Sequence, residues 1–326
     1  MTWLVTGGAG YIGSHIVRVF RERGIGVVVI DDLSSGHRDF VPEDVPFVEA
    51  NILDGAVLAR TLREHEIVGV VHLAGFKYAG ESVPRPLHTY EQNVEGTRVL
   101  LPAMQDAQVG LCVFSSSAAV YGIPDVDLVT EATPLLPASP YGESKLIAEW
   151  LIRDQAVAAG LAHTSLRYFN VVGSGYPDLY DSSPHNLFPL AISAILEGRA
   201  PRINGDDYPT PDGTCVRDYV HVQDLAFSHV IAAEKLMAGV PLQPAYNLGS
   251  GQGQSVREVL DTLLSVMGAE FSPRIGARRP GDPPRIVANQ DLAAADLQWE
   301  MRHSVEEMAR SAWYAAKPLR ALGRGH

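Results

Sequence analysis

Cysteine is nearly missing: of 326 residues, only Cys112 and Cys215 carry a thiol. Two cysteines cannot staple a small secreted fold, and neither stands at a ligand-like spacing from a histidine. The pattern fits a reducing, cytoplasmic setting and offers no metal site. Basic charge is also scarce. Lysine and arginine number 26 against 38 acidic residues, a formal net charge of −12, which repels phosphate backbones and anionic lipid. Nucleic acid and membranes are therefore not expected partners. No apolar run approaches the ~20 residues of a membrane span. The opening Trp3-Leu4-Val5 has no basic lead or small-residue cleavage site and reads as a strand rather than a leader. Internal repeats and low-complexity tracts are absent. What is present, 46% hydrophobic against 20% charged residues, is enough to bury a large core and excludes a disordered chain.

Short β-branched runs recur near 2–6, 26–30, 68–73, 110–115 and 163–167, separated by helical patterns near 11–23, 54–64, 88–107 and 141–159. That alternation predicts an α/β fold with a doubly wound parallel sheet. Val27-Val28-Val29-Ile30 and Val68-Gly69-Val70-Val71 are apolar on both faces, as strands covered by helices on either side must be. After residue 170 the alternation lapses into Gly, Pro, Asp and Tyr from Ser174 to Pro184 and from Asn204 to Gly213. This second half is expected to form a smaller mixed α/β domain over the substrate, with Ala321 to His326 as a loose end.

Val5-Thr6-Gly7-Gly8-Ala9-Gly10-Tyr11-Ile12-Gly13 closes the first strand and opens a helix, the setting that a dinucleotide-binding loop requires. Glycines let the turn tighten and the backbone approach a pyrophosphate, whose charge then sits at the positive end of the helix. A glycine-rich turn alone says little. Asp31, however, ends the second strand 18 residues after Gly13, where a carboxylate binds the adenosine ribose. Asp31 and Asp32 together repel a ribose 2′-phosphate, softened only by Arg38 nearby, so NAD is favoured over NADP. The first domain, residues 1–168, thus reads as a Rossmann NAD-binding domain. Residues 169–326 form the second, with some segments expected to return to the first.

Pro140-Tyr141-Gly142-Glu143-Ser144-Lys145 begins a helix whose i,i+4 spacing puts Tyr141 and Lys145 on one face, roughly 6 Å apart at Cβ. A tyrosine with a pKa of about 10 becomes a base near neutrality only if roughly three pKa units of preference for the phenolate are supplied. A lysine charge and an oxidised nicotinamide ring together supply them. Ahead of this helix, the strand Leu111-Cys112-Val113-Phe114 ends in Ser115-Ser116-Ser117, and strand carboxyl ends face the ligand in an open parallel sheet. Ser117 can orient a substrate alcohol there. Either feature in isolation is ordinary surface chemistry; their combination behind a dinucleotide loop is not.

With these parts assembled, the chain resembles the extended short-chain dehydrogenase/reductase superfamily and, more closely, its UDP-galactose 4-epimerases. The likeness rests on Gly7 to His15, Ser115 to Gly122, Leu166-Arg167-Tyr168-Phe169-Asn170 and Asp207 to His221, which span both halves. The resemblance implies hydride removal from carbon 4 of a UDP-linked hexose, a bound 4-keto sugar, and hydride return to the opposite face. By carry-over, Tyr141 is the base and then the acid, Ser117 orients the sugar hydroxyl, and Lys145 binds the nicotinamide ribose and lowers the tyrosine pKa. Gly7, Gly10, Tyr11, Ile12, Gly13, Asp31, Asn51, Ile52, Lys77, Asn93 and Phe169 would hold the cofactor. Asn170, His185, Asn186, Leu187, Arg202, Asn204, Arg217, Arg279 and Asp282 would hold the substrate, with the two arginines Arg217 and Arg279 on its diphosphate. A homodimer through the helices near 88–107 and 141–159 is also implied.

Four positions depart from the pattern of that family. Asn51 replaces an aspartate that meets adenine, keeping an acceptor oxygen but losing the charge. Asn204 replaces an aromatic that packs on the base, Ile286 a tyrosine that bounds the sugar pocket, and His185 an amide, where a histidine either suits an anionic sugar carboxylate or serves the structure. UDP-glucose/UDP-galactose leads as substrate, with UDP-glucuronate or a UDP-N-acetylhexosamine as alternatives. A 4,6-dehydratase needs an Asp-Glu pair after the strand-end hydroxyl residue, and Ala118 and Ala119 stand there instead. An ordinary dehydrogenase shares the Tyr-Lys pair but would release NADH. A non-catalytic NAD-binding regulator, the reading from a different class, has no need of Tyr141 and Lys145.

Overall fold

The computed structural model describes residues 1–279 and 282–321. Strand and helix alternate from the start, in the order β1 (Thr2–Thr6), α1 (Tyr11–Glu22), β2 (Gly26–Asp31), β3 (Phe47–Glu49), α2 (Gly55–Glu64) and β4 (Ile67–His72). Next come α3 (Ala79–Ser82), α4 (Pro86–Tyr90), α5 (Gly96–Asp106), β5 (Leu111–Ser115), α6 (Pro140–Ala159) and β6 (Ala162–Tyr168). The second half contains β7 (Asn170–Val172), α7 (Leu187–Leu196), β8 (Arg202–Asn204), β9 (Val216–His221), α8 (Val222–Met237) and β10 (Ala245–Leu248). It ends with β11 (Gly253–Ser255), α9 (Val256–Met267), β12 (Arg274–Gly276), β13 (Arg285–Ile286), α10 (Asp291–Leu297) and α11 (Val305–Ala321). Ala321, expected to open a loose end, closes α11; 322–326 lie outside the described residues.

Seven strands form one parallel sheet in the order β10-β6-β5-β4-β1-β2-β3. Alternate side chains feed two apolar layers, as the strand period of two requires. Trp3, Val5, Val27, Val29, Val71 and Val113 pack against Ile16 and Phe20 of α1 and Leu225 and Val230 of α8. Leu4, Val28, Ile30, Val70 and Phe114 face the other way, onto Leu58 of α2, Leu100 of α5 and Ile152 of α6. The five expected strands are all in this sheet, and β3 and β10 extend it at its two edges. β10 comes from far along the chain, pairing with β6 from Ala245 opposite Ser165 to Leu248 opposite Tyr168. Among the described residues, no helix is long and apolar enough to cross a membrane.

Local chemistry explains the helix limits that matter for the site. The Ser139 hydroxyl accepts from the Gly142 N–H and Pro140 occupies the first turn of α6, which ends on left-handed Gly160. The single helix expected over 88–107 is interrupted instead. Between α4 and α5, residues Glu91 to Glu95 form a wider turn, and the Asn93 side chain in it bonds both the N–H and the carbonyl of Phe76 and the Ser144 hydroxyl. Such widened turns recur where a helix carries a functional side chain.

The smaller second layer has its own core, with Phe188 and Ile192 of α7, Tyr219 of β9, Leu260 and Leu263 of α9, and Met308 of α11. Asp218, buried in β9, joins this layer to the sheet: its carboxylate accepts from the N–H groups of Ser250, Gly251 and Ala288 and from the Ser250 hydroxyl. Asp218→Ala leaves three backbone donors without a charged acceptor and is expected to cost at least about 3 kcal/mol of stability, read as a lower urea midpoint. An unchanged midpoint would show that water replaces the carboxylate freely.

Candidate active site

The strand order reverses between β1 and β4, and at that reversal, beyond the carboxyl ends of the strands, opens a cavity of about 1330 Å³. Its first wall is the glycine loop. A Cβ on Gly13 would lie 2.2 Å from the Gly7 carbonyl oxygen and 2.8 Å from Gly8 Cα, so only glycine lets α1 begin against the loop. Gly10 caps α1 with no side-chain hydrogen bond, leaving first-turn N–H groups for an anion. The Tyr11 hydroxyl donates to the Gly173 carbonyl at 2.6 Å, tying this wall to the second half of the chain.

Asp31 lines the cavity at the end of β2. Each carboxylate oxygen accepts one backbone N–H, from Ala9 at 3.0 Å and Leu33 at 2.9 Å, and keeps a lone pair for a ribose hydroxyl. Burial pushes the Asp31 pKa up, the two N–H groups and Lys77 oppose this, and Asp32 adds to it. Arg38 turns away: its guanidinium donates to the Val41 carbonyl and lies 4.7 Å from the Phe47 ring centroid. Nothing in that geometry welcomes a 2′-phosphate, and the cradle and carboxylate fit NAD. Asn51 and Ile52 also line this end, but the Asn51 amide donates to Asp32 at 2.7 Å and its oxygen accepts from the Leu53 N–H.

At the reactive end, Ser117, Tyr141 and Lys145 share the cavity wall with Phe169 and Asn170. The Ser117 hydroxyl accepts from the Ala119 N–H at 3.2 Å and lines the cavity with Tyr141. Lys145 Nζ donates to the Ser115 carbonyl at 2.9 Å and lies 5.9 Å from the Tyr141 ring centroid. Burial raises the Tyr141 pKa and the polar Ser117 lowers it, whereas burial pushes Lys145 down to about 8, against an upward pull from Glu149. Lysine is therefore charged near neutrality while the phenol keeps its proton until a further positive charge arrives.

The far wall carries His185, Asn186, Leu187, Arg217, Arg279, Asp282 and Ile286. Arg217 donates to the Pro283 carbonyl at 2.7 Å and has Asp282 at 3.6 Å, a fork held ready for a multidentate anion. Lys77 lies between this wall and Asp31, its pKa lowered by burial and raised by Asp181 and Asp31. Three expected contacts are elsewhere. Asn93 stands one layer behind, bracing the Phe76-Lys77 turn. Arg202 and Asn204 are outside the cavity wall because β8 pairs with β12 through Arg202 opposite Arg274 and Asn204 opposite Gly276. Asp181, Tyr78, Arg85 and His88 also line the cavity without having been expected. Asp181 accepts the Asn186 amide at 2.7 Å, and no sequence pattern announced it from within an irregular loop.

His221, Asp224 and His303 come close enough together to be considered for a cation. The two imidazoles stack, however, with centroids 3.9 Å apart and planes 18° from parallel, so their in-plane lone pairs do not converge on one ion.

A dinucleotide cradle and a Ser-Tyr-Lys cluster opening into one cavity define an extended short-chain dehydrogenase/reductase fold. Within that class, the chain belongs to the NAD dependent epimerase/dehydratase family, whose sequence model matches residues 3–249. It is 44% identical over 314 residues to the UDP-glucose 4-epimerase of Azospirillum brasilense, covering 95% of this chain and 90% of that protein. The UDP-glucose 4-epimerase of Bacillus subtilis is 40% identical, with 96% of each chain covered. Among solved structures, UDP-glucose-4-epimerase from Stenotrophomonas maltophila with bound NAD and formylated UDP-arabinopyranose superimposes with a TM-score of 0.93 at 39% identity, covering 98% of this chain and 99% of that one.

Proposed function

We propose that this protein is an NAD-dependent UDP-hexose 4-epimerase acting first on UDP-glucose and UDP-galactose. The observation that carries the reading is the Ser117-Tyr141-Lys145 cluster facing the same cavity as the glycine cradle and the Arg217 fork. Bound NAD supplies a hydride acceptor that later becomes the donor, and its oxidised ring supplies the positive charge that Tyr141 lacks. Ser117 aligns the 4-hydroxyl, and the Tyr141 oxygen removes its proton as the C–H bond breaks. The resulting ketone must turn its other face before hydride returns, and Tyr141 then gives the proton back. Arg217 and Arg279 hold the diphosphate fixed while the sugar rotates, with Asp282 beside the uridine ribose. Asn170, Asn186 and Leu187 bound the sugar and diphosphate.

Residues 1–168 bind NAD in this reading and 169–326 bind the UDP-sugar. A homodimer through the helical stretch near 88–107 and α6 is supported by Trp150, Val157 and Leu87, which are 45%, 88% and 82% exposed there. The paucity of cysteine and the buried free thiols suit the cytoplasm. Purified protein incubated separately with UDP-glucose, UDP-galactose, UDP-glucuronate and UDP-N-acetylhexosamines is expected to interconvert the first two without net NADH release, as resolved by chromatography of the sugar isomers. Failure on both neutral hexoses with turnover of another moves the assignment to that substrate; no turnover of any leaves only the NAD-binding regulator.

A further inference from the structure

Glu149 is buried directly behind the reactive cluster. One turn after Lys145 on α6, it shares that residue's helix face. Its carboxylate is gripped by Arg167 of β6, with Nε at 2.9 Å from one oxygen and Nη2 at 2.6 Å from the other, and the two side chains are 9% and 7% exposed. The Ser116 hydroxyl donates to the same carboxylate. Ser116 stands between Ser115, whose carbonyl receives Lys145 Nζ, and Ser117, which lines the cavity with Tyr141. Arg167 spends its remaining terminal nitrogen on the Tyr121 hydroxyl at 2.9 Å, which in turn donates to Asn247 of β10 at 2.7 Å.

We propose that Glu149, locked in place by Arg167, is a positioning residue that keeps Lys145 charged and seats the Ser115-Ser117 strand end against Tyr141. This rests on the proposed function, in which the charge of Lys145 favours the Tyr141 phenolate. A pin alone would work as well with a neutral amide; the charge is what Lys145 needs. Burial drives the Lys145 pKa down, and Glu149 is the group that pulls it back up. The other titratable groups around it give no such help. His72 of β4 and His229 of α8, which reaches Ser115, are held neutral by burial with pKa values of about 3 and about 4. Tyr141 and Tyr168 are phenols raised by burial, and Arg167 is itself cationic. An ion pair buried this deeply adds little net stability compared with an apolar substitute. What it offers a lysine that must stay protonated is the field of its carboxylate.

The chain has four lysines, Lys77, Lys145, Lys235 and Lys317, so lysine side-chain 13C NMR of the NAD-loaded protein yields a spectrum in which Lys145 is assigned by a Lys145→Arg control. In Glu149→Gln, the Lys145 titration is expected to move down by roughly one to two pH units, as a charge one helical turn away dictates at an effective dielectric near 20. The alkaline limb of kcat should move with it while KM for the UDP-sugar stays within a few-fold. Because Glu149→Gln strands the Arg167 charge, Glu149→Gln/Arg167→Met is measured alongside; it removes both charges and should still titrate below wild type. A Lys145 midpoint at the wild-type pH in the folded single or double variant overturns the proposal. Since the titration is read without substrate, a wild type that fails to epimerise condemns the functional reading alone, and an unmoved midpoint in a competent epimerase condemns this one alone.

Discussion

Tyr141→Phe is expected to lower kcat for UDP-galactose epimerisation by about three orders of magnitude while the protein keeps its NAD. The substitution removes one oxygen from a ring that is 8% exposed and leaves the aromatic packing intact. In the proposed mechanism the lost oxygen is the proton acceptor, and a positioned acid/base group contributes roughly 10²–10⁴-fold. Stability should change little, because the Ser117 hydroxyl still accepts from the Ala119 N–H at 3.2 Å. KM should also hold, since Arg217 and Arg279, proposed to hold the diphosphate, line the far wall. The measurements are steady-state turnover in both directions and NAD content released on denaturation. A variant that turns over like wild type would mean the proton goes elsewhere.

Gly13→Ala should have the second largest effect, on cofactor retention. The added Cβ meets the Gly7 carbonyl oxygen at 2.2 Å, a backbone atom that cannot swing aside as a side chain would. That carbonyl also accepts the Gly10 N–H at 3.1 Å, so displacing it opens the turn whose N–H groups await the pyrophosphate. Overpacking of this kind costs up to about 3 kcal/mol, or roughly a hundredfold in Kd for NAD. Calorimetric titration of the protein stripped of NAD measures it directly. If the variant binds NAD with wild-type affinity, the loop is not the phosphate cradle.

β2 and β4 were readable from the sequence because they are apolar on both faces, and β6, with Thr164, Ser165 and Arg167 inside it, was placed by the strand-helix alternation, whereas β3 has three residues and β10 four, too short for a pattern. The wider turn at Glu91 to Glu95 was hidden because its residues suit an ordinary helix equally well, and only the tertiary bond from Asn93 to Phe76 selects it. In the cavity, the residues that local spacing fixes, Gly7, Gly10, Gly13, Asp31, Ser117, Tyr141 and Lys145, all line one wall or another. Arg202 and Asn204 were harder to place because strand pairing, not spacing, decides which way a short edge strand is carried. Asp181 was invisible because its neighbours become neighbours only once the irregular segment before α7 is folded onto Lys77.

The return of β10 and α8 to the large sheet constrains how this protein can be re-engineered. A graft that exchanged everything after residue 168 for the equivalent half of a relative would replace an edge strand and a covering helix that must match β6 and α1 side chain for side chain. The interchangeable part is smaller: the stretch from Ser174 to Asn186, which puts Asp181, Ser183, His185 and Asn186 on the cavity wall without contributing a strand to the seven-stranded sheet. Libraries aimed at new nucleotide sugars belong in that stretch.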